Sequence, residues 1–334
     1  MARPIDEFVM AWAALSGDSS EEGWRSIQVT PAGSCSLMAG RRFPGNEEAL
    51  LAGFSSARLP PAEKLPEGQG FEVSRADPHG DGNTWIALTR KETGSQELFA
   101  EMVGDVAGAM DAVATEGEER LLRTLLTRVR SWQEFMRKGA QALSPEAEIG
   151  LVGELAFLKA VVESGVPASL AVEAWVGPLE GIQDFELGTG AVEVKATLSS
   201  QGFPAKIGSL EQLDDTPRSP LFVAGARFSQ RESGSNLPEF AEAVRESLAG
   251  DGEALRMFTD RLLAAGLHET HADRYPRRFV LDRMRIVEVG EGFPRMVPGM
   301  VPAGIRRAVY EIDLDRAPGP EVGLVETLKR LGAL

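Results

Sequence analysis

One cysteine, Cys35, and three histidines stand among 334 residues. A single thiol excludes an internal disulfide and a thiolate zinc cluster, and a lone cysteine in an apolar setting reads as a small core residue. There is no run of about 18 apolar residues, the length needed to cross a bilayer. The opening "MARPIDEFVMAW" sets acids where a secretory signal carries basic residues ahead of a long apolar segment, so the sequence reads as that of a soluble, cytoplasmic protein with no membrane partner. Repeats, low-complexity segments and a phosphate-cradling Gly-rich loop are missing too; without that loop, any NTP hydrolysis has to come from a partner. Positive charge is outnumbered, 35 Lys and Arg against 50 Asp and Glu, for a net charge of −15. That balance argues against indiscriminate binding to polyanions and requires local basic patches if nucleic acid is a ligand.

What is present suffices for one large or two to three ordinary domains, with 43% hydrophobic and 25% charged residues. Arginine exceeds lysine by 28 to 7, which together with abundant Ala and Gly fits a GC-rich bacterial genome. The first 95 residues read as β-rich, with strands at "RSIQVT", "CSLMAG", "GFEVSRA" and "TWIALTRK" between Pro- and Gly-containing turns. Apolar residues then recur every three or four positions, which predicts helices over 96–114 and 117–138, the second stopped by Gly139. Ser144, Pro145 and Glu146 open a helix to about Ser164. Short β-type runs follow at 170–176, 182–187, 191–197 and 221–228, with a helical turn "SLEQL" before the last. Beyond lie two helices, strands at "RRFVLDRMRIVEVG" and "RRAVYEIDL", and a closing helix. The expected organisation is a β-rich region with two helices over 1–140, an α/β core over 141–232, and an α+β region over 233–334 that packs on the core.

The stretch "GIQDFELGTGAVEVKATL", residues 181–198, is apolar yet carries Asp184, Glu186, Glu193 and Lys195. Strand alternation puts Glu193 and Lys195 on one face and Val192, Val194 and Ala196 on the other. A turn at Leu187, Gly188, Thr189 and Gly190 makes "DFEL" and "AVEVKA" an antiparallel hairpin that can bring Asp184 near Glu193. Two carboxylates beside one ammonium suit a hard divalent cation and phosphodiester hydrolysis. A solvated edge strand with surface ion pairs would carry the same residues. The preceding helix adds weight: a helical wheel sets Glu148, Lys159 and Glu163 in one polar sector but Glu154 among Leu151, Phe157, Leu158 and Val161. A carboxylate there needs a partner or a metal unless it sits at the rim of the core. Gly150 and Gly153 beside it suggest close backbone approach.

This arrangement resembles the PD-(D/E)xK, or restriction-endonuclease-like, superfamily, whose α/β (α+β) core runs αβββαβ around a central mixed sheet flanked by helices. Over its full length the chain more loosely resembles a bacterial family of PD-(D/E)xK-motif proteins found beside DNA methyltransferases and ATPases in restriction and phage-defence loci. By that resemblance Asp184 is the motif Asp, Glu193 the second acid, Lys195 the lysine, and Glu154 the acid of the first core helix; Gln183 stands in place of the motif proline. The resemblance implies a Mg²⁺- or Mn²⁺-dependent DNA endonuclease, with Asp184, Glu193, the Val194 carbonyl and Glu154 around the metal and Lys195 orienting the nucleophile or stabilising the phosphate. Glu186 and Gln212 are then candidates for the site's surroundings, although a solvated strand acid explains Glu186 equally well and an exposed helical Gln is the ordinary explanation of Gln212. A catalytically silent subunit that binds DNA or partner proteins is the alternative.

Positive charge clusters at Arg120, Arg123, Arg128, Arg130, Arg137 and Lys138, and again at Arg274, Arg277, Arg278, Arg283, Arg285, Arg306 and Arg307. Arg130, Arg137, Arg277, Arg278, Arg283 and Arg285 are candidate DNA contacts, with salt bridges as the competing explanation. His268, Glu269 and His271 lack zincin spacing and a third ligand, and His79 has no catalytic neighbour in sequence. One such site cuts one strand at a time, so double-strand cleavage needs a two-fold dimer, sequential nicking or a second nuclease; a homodimer is expected.

Overall fold

Residues 47–54, "EEALLAGF", are rich in helix formers and show no alternation, yet they form the middle strand of a five-stranded antiparallel sheet. The computed structural model describes residues 5–18, 20–138, 142–267 and 269–334, and the chain divides into two units, 1–140 and 141–334. Gly139, His268 and the side chains of Lys138, Glu269 and His271 lie outside the described residues.

In the first unit, helix α1 (Asp6–Leu15) precedes β1 (Gly23–Gln28), β2 (Ser36–Phe43), β3 (Glu47–Phe54), β4 (Phe71–Ala76) and β5 (Thr84–Arg90), in sheet order β1-β2-β3-β5-β4. The strand β3 was not expected. Every residue from Glu48 to Phe54 is buried between β2 and β5, and from Ala49 onward both faces are apolar, so the alternation that marks a strand vanishes. Helix α1, also unexpected, buries Phe8, Ala11 and Trp12, and the Trp12 indole donates to the Ala49 carbonyl at 2.9 Å. Helices α2 (Gln96–Ala112) and α3 (Glu118–Lys138) fall where the periodicity puts them.

Glu118 opens α3 and ties it to the turn after β3. Its carboxylate accepts from the N–H and hydroxyl groups of Ser55 and Ser56 and from Ala57 N. Burial alone would push this acid up, but the hydrogen bonds of Ala57 and Ser56 outweigh it and hold the carboxyl at about 2. The stabilisation is therefore full above the ordinary value of 4.5 and fades as pH falls toward 2. Glu118→Gln is expected to cost on the order of 2 kcal/mol at pH 7 in denaturant unfolding and much less at pH 3; an equal loss at both pH values would contradict this role.

The second unit starts with α4 (Pro145–Glu163), capped by Ser144 Oγ accepting from Ala147 N at 3.2 Å, and α5 (Ala168–Ala174). Then come β6 (Phe185–Leu187), β7 (Gly190–Thr197), β8 (Pro204–Ile207), β9 (Leu221–Ser235), α6 (Leu237–Ser247), α7 (Gly252–Ala265), β10 (Phe279–Glu288), β11 (Tyr310–Asp313) and α8 (Leu324–Leu331). The main sheet has order β10-β9-β7-β6, with β7 and β9 parallel and the other neighbours antiparallel; β8 and β11 form a separate antiparallel ribbon. One sheet face, with Val192, Val194, Phe222, Ala224 and Phe228, shares a core with the helices. The other, with Ala191, Leu221, Val223 and Val287, packs with Phe203, Ala205, Ile207 and Ile312 of the ribbon region.

The expected helix, three strands, helix, strand order needs correction: β8 (Pro204–Ile207) is a strand it did not contain, and two of its elements differ. Residues 168–174 form a helix where a strand was expected, because "ASLAVEA" follows Pro167 and places Ala171 and Val172 inward. "SLEQL" is a turn, not a helix: Gln212 Oε1 accepts from Gly208 N at 2.7 Å and Ser209 Oγ from Glu211 N, local bonds that compete with helical ones. Glu148 is buried rather than in an exposed polar sector, because Arg277 reaches it at 2.6 Å; Lys159 and Glu163 do pair at the surface. A side chain at Gly153 would meet Ala196 Cβ at 2.9 Å, so α4 does approach β7 closely there, whereas Gly150 faces open space.

Candidate active site

The hairpin of β6 and β7 is fixed by its turn. Gly188 has φ +55° and a Cβ there would lie 2.0 Å from the Leu331 carbonyl oxygen, which itself accepts from Thr189 N at 3.0 Å. The register pairs Phe185 with Val192 and Leu187 with Gly190, so β6 ends opposite Val192 and leaves the next residues of β7 without a strand on that edge. Asp184, one residue before β6, fills the gap: its Oδ2 accepts from Val194 N at 2.8 Å. A strand residue turns its N–H and C=O to the same edge, so the Val194 carbonyl also faces this side.

On the ribbon-side face of β7, Lys195 Nζ donates to Glu193 Oε1 at 2.6 Å. Glu193 is only 1% exposed, and its Oε2 has no hydrogen-bond partner among the described residues. Glu154 enters from α4, where Trp175 Nε1 donates to its Oε2 at 2.7 Å. The segment after Trp175 is clamped to the motif strand, with Val176 N and Gly177 N both donating to the Asp184 carbonyl at 2.9 and 3.0 Å. A Cβ at Gly177 would stand 2.9 Å from Asp184 Oδ1 and 3.1 Å from Glu154 Oε2, so both carboxylates border one small space that only a glycine leaves open.

Three carboxylates crowd one ammonium here. Burial pushes Glu154 up to about 8, reinforced by the charge of Asp184. Burial likewise raises Glu193 to about 8, again with Asp184 adding to it. Asp184 is raised by burial against the opposing pull of Lys195 and the Val194 N–H. Burial works against the Lys195 charge, but Glu193 and Asp184 outweigh it and raise the lysine. The cluster thus keeps the lysine charged and retains protons on its carboxyls near neutral pH, as coupled acids do.

A hard divalent cation fits this donor set. A buried, unpartnered carboxylate oxygen on Glu193, two further carboxylates and an edge carbonyl are oxygen ligands of the kind such ions take, and a cation would relieve their mutual repulsion. Among the described residues no three acids, histidines or cysteines are already gathered as a ligand set, and each of these carboxylates has one oxygen turned to a protein donor.

The remaining candidates lie elsewhere. Glu186 pairs with Arg218 at 2.6 Å, and Gln212 closes its own turn. Gln183, in the proline position, is buried and donates to the carbonyls of Glu211 and Gln212 at 3.3 and 3.4 Å, so it ties that turn to the motif strand. All six arginines singled out as DNA contacts have partners within the fold. Arg130 meets Glu63, Arg137 meets Glu134, Arg277 meets Glu148 and the Pro145 carbonyl, and Arg278 meets Glu239. Arg283 pairs with Glu321, and Arg285 donates to the Leu314 and Ala317 carbonyls. Trp175 and Gly177 were missed by sequence reasoning because 170–176 reads as a strand; "GP" at 177–178 marks a turn but not its neighbours.

The family described as "Putative PD-(D/E)XK family member, (DUF4420)" matches residues 8–315. The chain belongs to this family. The match takes in both units, whereas the motif residues occupy only the hairpin and α4 of the second. Comparison with the curated proteins and with the solved structures found no match. Among the described residues, no helix is long and apolar enough to cross a membrane.

Proposed function

We propose that this member of the PD-(D/E)XK family is a metal-dependent DNA endonuclease, the cleaving component of a bacterial restriction or phage-defence system. The observation that carries the reading is the meeting of Glu154, Asp184, Glu193 and Lys195 at the open edge of β7, with a buried Glu193 oxygen lacking a partner. Asp184, Glu193 and the Val194 carbonyl would hold Mg²⁺ or Mn²⁺, with Glu154 as a further ligand. Such an ion, when bound, makes a water more acidic and offsets charge on a phosphate. Glu154 is kept aimed by Trp175, and Glu193 keeps Lys195 charged beside the space where a phosphate would sit. Lys195 then donates to phosphate oxygens as they gain charge. A pair of chains would offer one such site to each strand of a duplex.

A second reading, a silent subunit that binds DNA or partner proteins, draws on the acidic net charge of −15 and on the internal pairing of the arginines. The test is cleavage of supercoiled plasmid, methylated and unmethylated, by purified protein with Mg²⁺, Mn²⁺ or chelator, alone and with any methyltransferase or ATPase encoded alongside it. Nicked or linear product that requires the cation and disappears in Asp184→Ala is expected. Intact plasmid under every condition would leave the silent-subunit reading.

A further inference from the structure

The sheet face that carries Glu193 and Lys195 does not end at β7. Lys195 is in register with Gly225 on β9, which is in register with Arg285 on β10; Thr197, Arg227 and Arg283 form the next row. Paired residues share a face, so Arg285 lies in the row of the motif lysine, about two strand spacings, or about 10 Å, from it, and Arg227 and Arg283 lie in the adjoining row on the same face. Phe203 and Leu314 stand over Gly225, between Lys195 and Arg285, and beyond them a cavity of about 400 Å³ opens, bordered by Phe203, Gly225, the three arginines and the acids Asp315 and Glu321.

The charges in this cavity are not balanced. Arg227 and Arg283 sit directly opposite each other, an arrangement that destabilises a sheet unless something negative lies between. Arg227 is braced by Asp315 at 2.8 Å and by the Ser199 and Gly202 carbonyls, and it lies over the Phe203 ring. Arg283 has Glu321 in an exposed pair, 63% and 40% accessible, of the kind worth little in water. Among the described residues Arg285 has only carbonyl oxygens, of Leu314 and Ala317, as hydrogen-bond partners. Carbonyls orient a guanidinium without neutralising it.

We infer that this cavity is an anchoring subsite for a phosphodiester of a nucleic-acid strand whose neighbouring phosphate lies at Lys195. The inference rests on the nuclease reading for the direction of the strand, but the binding it asserts does not need cleavage. Arg285 and Arg227 are the oriented donors, and Arg283 is an exposed arm that exchanges Glu321 for phosphate. Fork-shaped donors of this kind match phosphate oxygens. The strand form is favoured over a free phosphate ion because Arg285 lies on the same sheet face as the motif lysine, beyond Phe203 and Leu314, at a distance that phosphates of one strand passing over these side chains can span.

The test is the affinity of a fluorescent 20-nucleotide DNA strand for the full chain bearing Asp184→Asn, in chelator, across a salt series. Adding Arg283→Gln should weaken binding about tenfold and lower the salt slope by about one, as the loss of one phosphate contact does. Adding Glu321→Gln, which removes the competing carboxylate, should tighten binding, a change no structural role for Arg283 predicts. Both substitutions are at exposed positions, and unchanged melting temperatures verify the fold. The proposal is overturned if the parent does not bind the strand, if neither substitution alters its affinity, or if inorganic phosphate at matched phosphate concentration displaces it fully. Arginine-dependent binding by a wild type that never cuts with Mg²⁺ would uphold the subsite while refuting the nuclease reading.

Discussion

Glu154→Gln is expected to raise the melting temperature of the metal-free protein at pH 8 and to flatten its dependence on pH. Unfolded, the Glu154 carboxyl titrates near its ordinary 4.5; folded, burial and then Asp184 push it up to about 8. Between those values the native state holds a proton that the unfolded chain has released, so stability is greatest at the acid end and falls as pH rises through about 8. Each retained proton changes stability by about 1.4 kcal/mol per pH unit. Glutamine keeps an acceptor for the Trp175 indole and removes the charge, so at pH 8 the variant should melt several °C above wild type, on the scale of about 2–4 °C per kcal/mol for a domain of this size. The same change should weaken the rise in melting temperature that Mn²⁺ gives wild type. That rise should itself be larger at pH 8 than at pH 6, because a cation competes with the cluster's protons. Melting curves from pH 5 to 8.5, with chelator or Mn²⁺, measure both effects. Parallel curves for variant and wild type would show that Glu154 is an ordinary acid at the core's rim.

Lys195→Ala should reduce cleavage about 10²- to 10³-fold while leaving DNA affinity within a factor of about three. The lysine is held by Glu193 at 2.6 Å and is mostly buried, so its ammonium is oriented before substrate arrives. A donor of that kind contributes chiefly when charge builds on the phosphate, and less to the bound ground state. Single-turnover cleavage and equilibrium binding measured on the same preparation separate the two. A variant that cuts like wild type would make Lys195 a counter-ion to Glu193 and nothing more.

The hairpin, its turn and the positions of Asp184, Glu193 and Lys195 were legible in the sequence because all lie within 15 residues and obey strand alternation. Glu154 was legible because a carboxylate on the apolar side of an amphipathic helix demands a reason. Its partner Trp175 was not. That residue follows a short helix whose residues read equally as a strand, and the clamp on the Asp184 carbonyl is made by backbone N–H groups that no side chain announces. In the first unit β3 escaped notice for a related reason: burial on both faces erases the alternation that distinguishes strand from helix. The arginines were visible as a cluster, but their face and their acidic partners are set by the register of β9 and β10, which the sequence does not carry locally.

Calorimetric titration of Mn²⁺ into the full chain at pH 7.5, in two buffers of different ionisation enthalpy, tests most directly whether the cluster of Glu154, Asp184 and Glu193 is a divalent-cation site. One Mn²⁺ per chain is expected for wild type, with release of protons that makes the apparent heat depend on buffer, and no binding by Asp184→Ala. Wild-type protein that takes up no Mn²⁺, or an Asp184→Ala variant that binds it unchanged, would contradict the account.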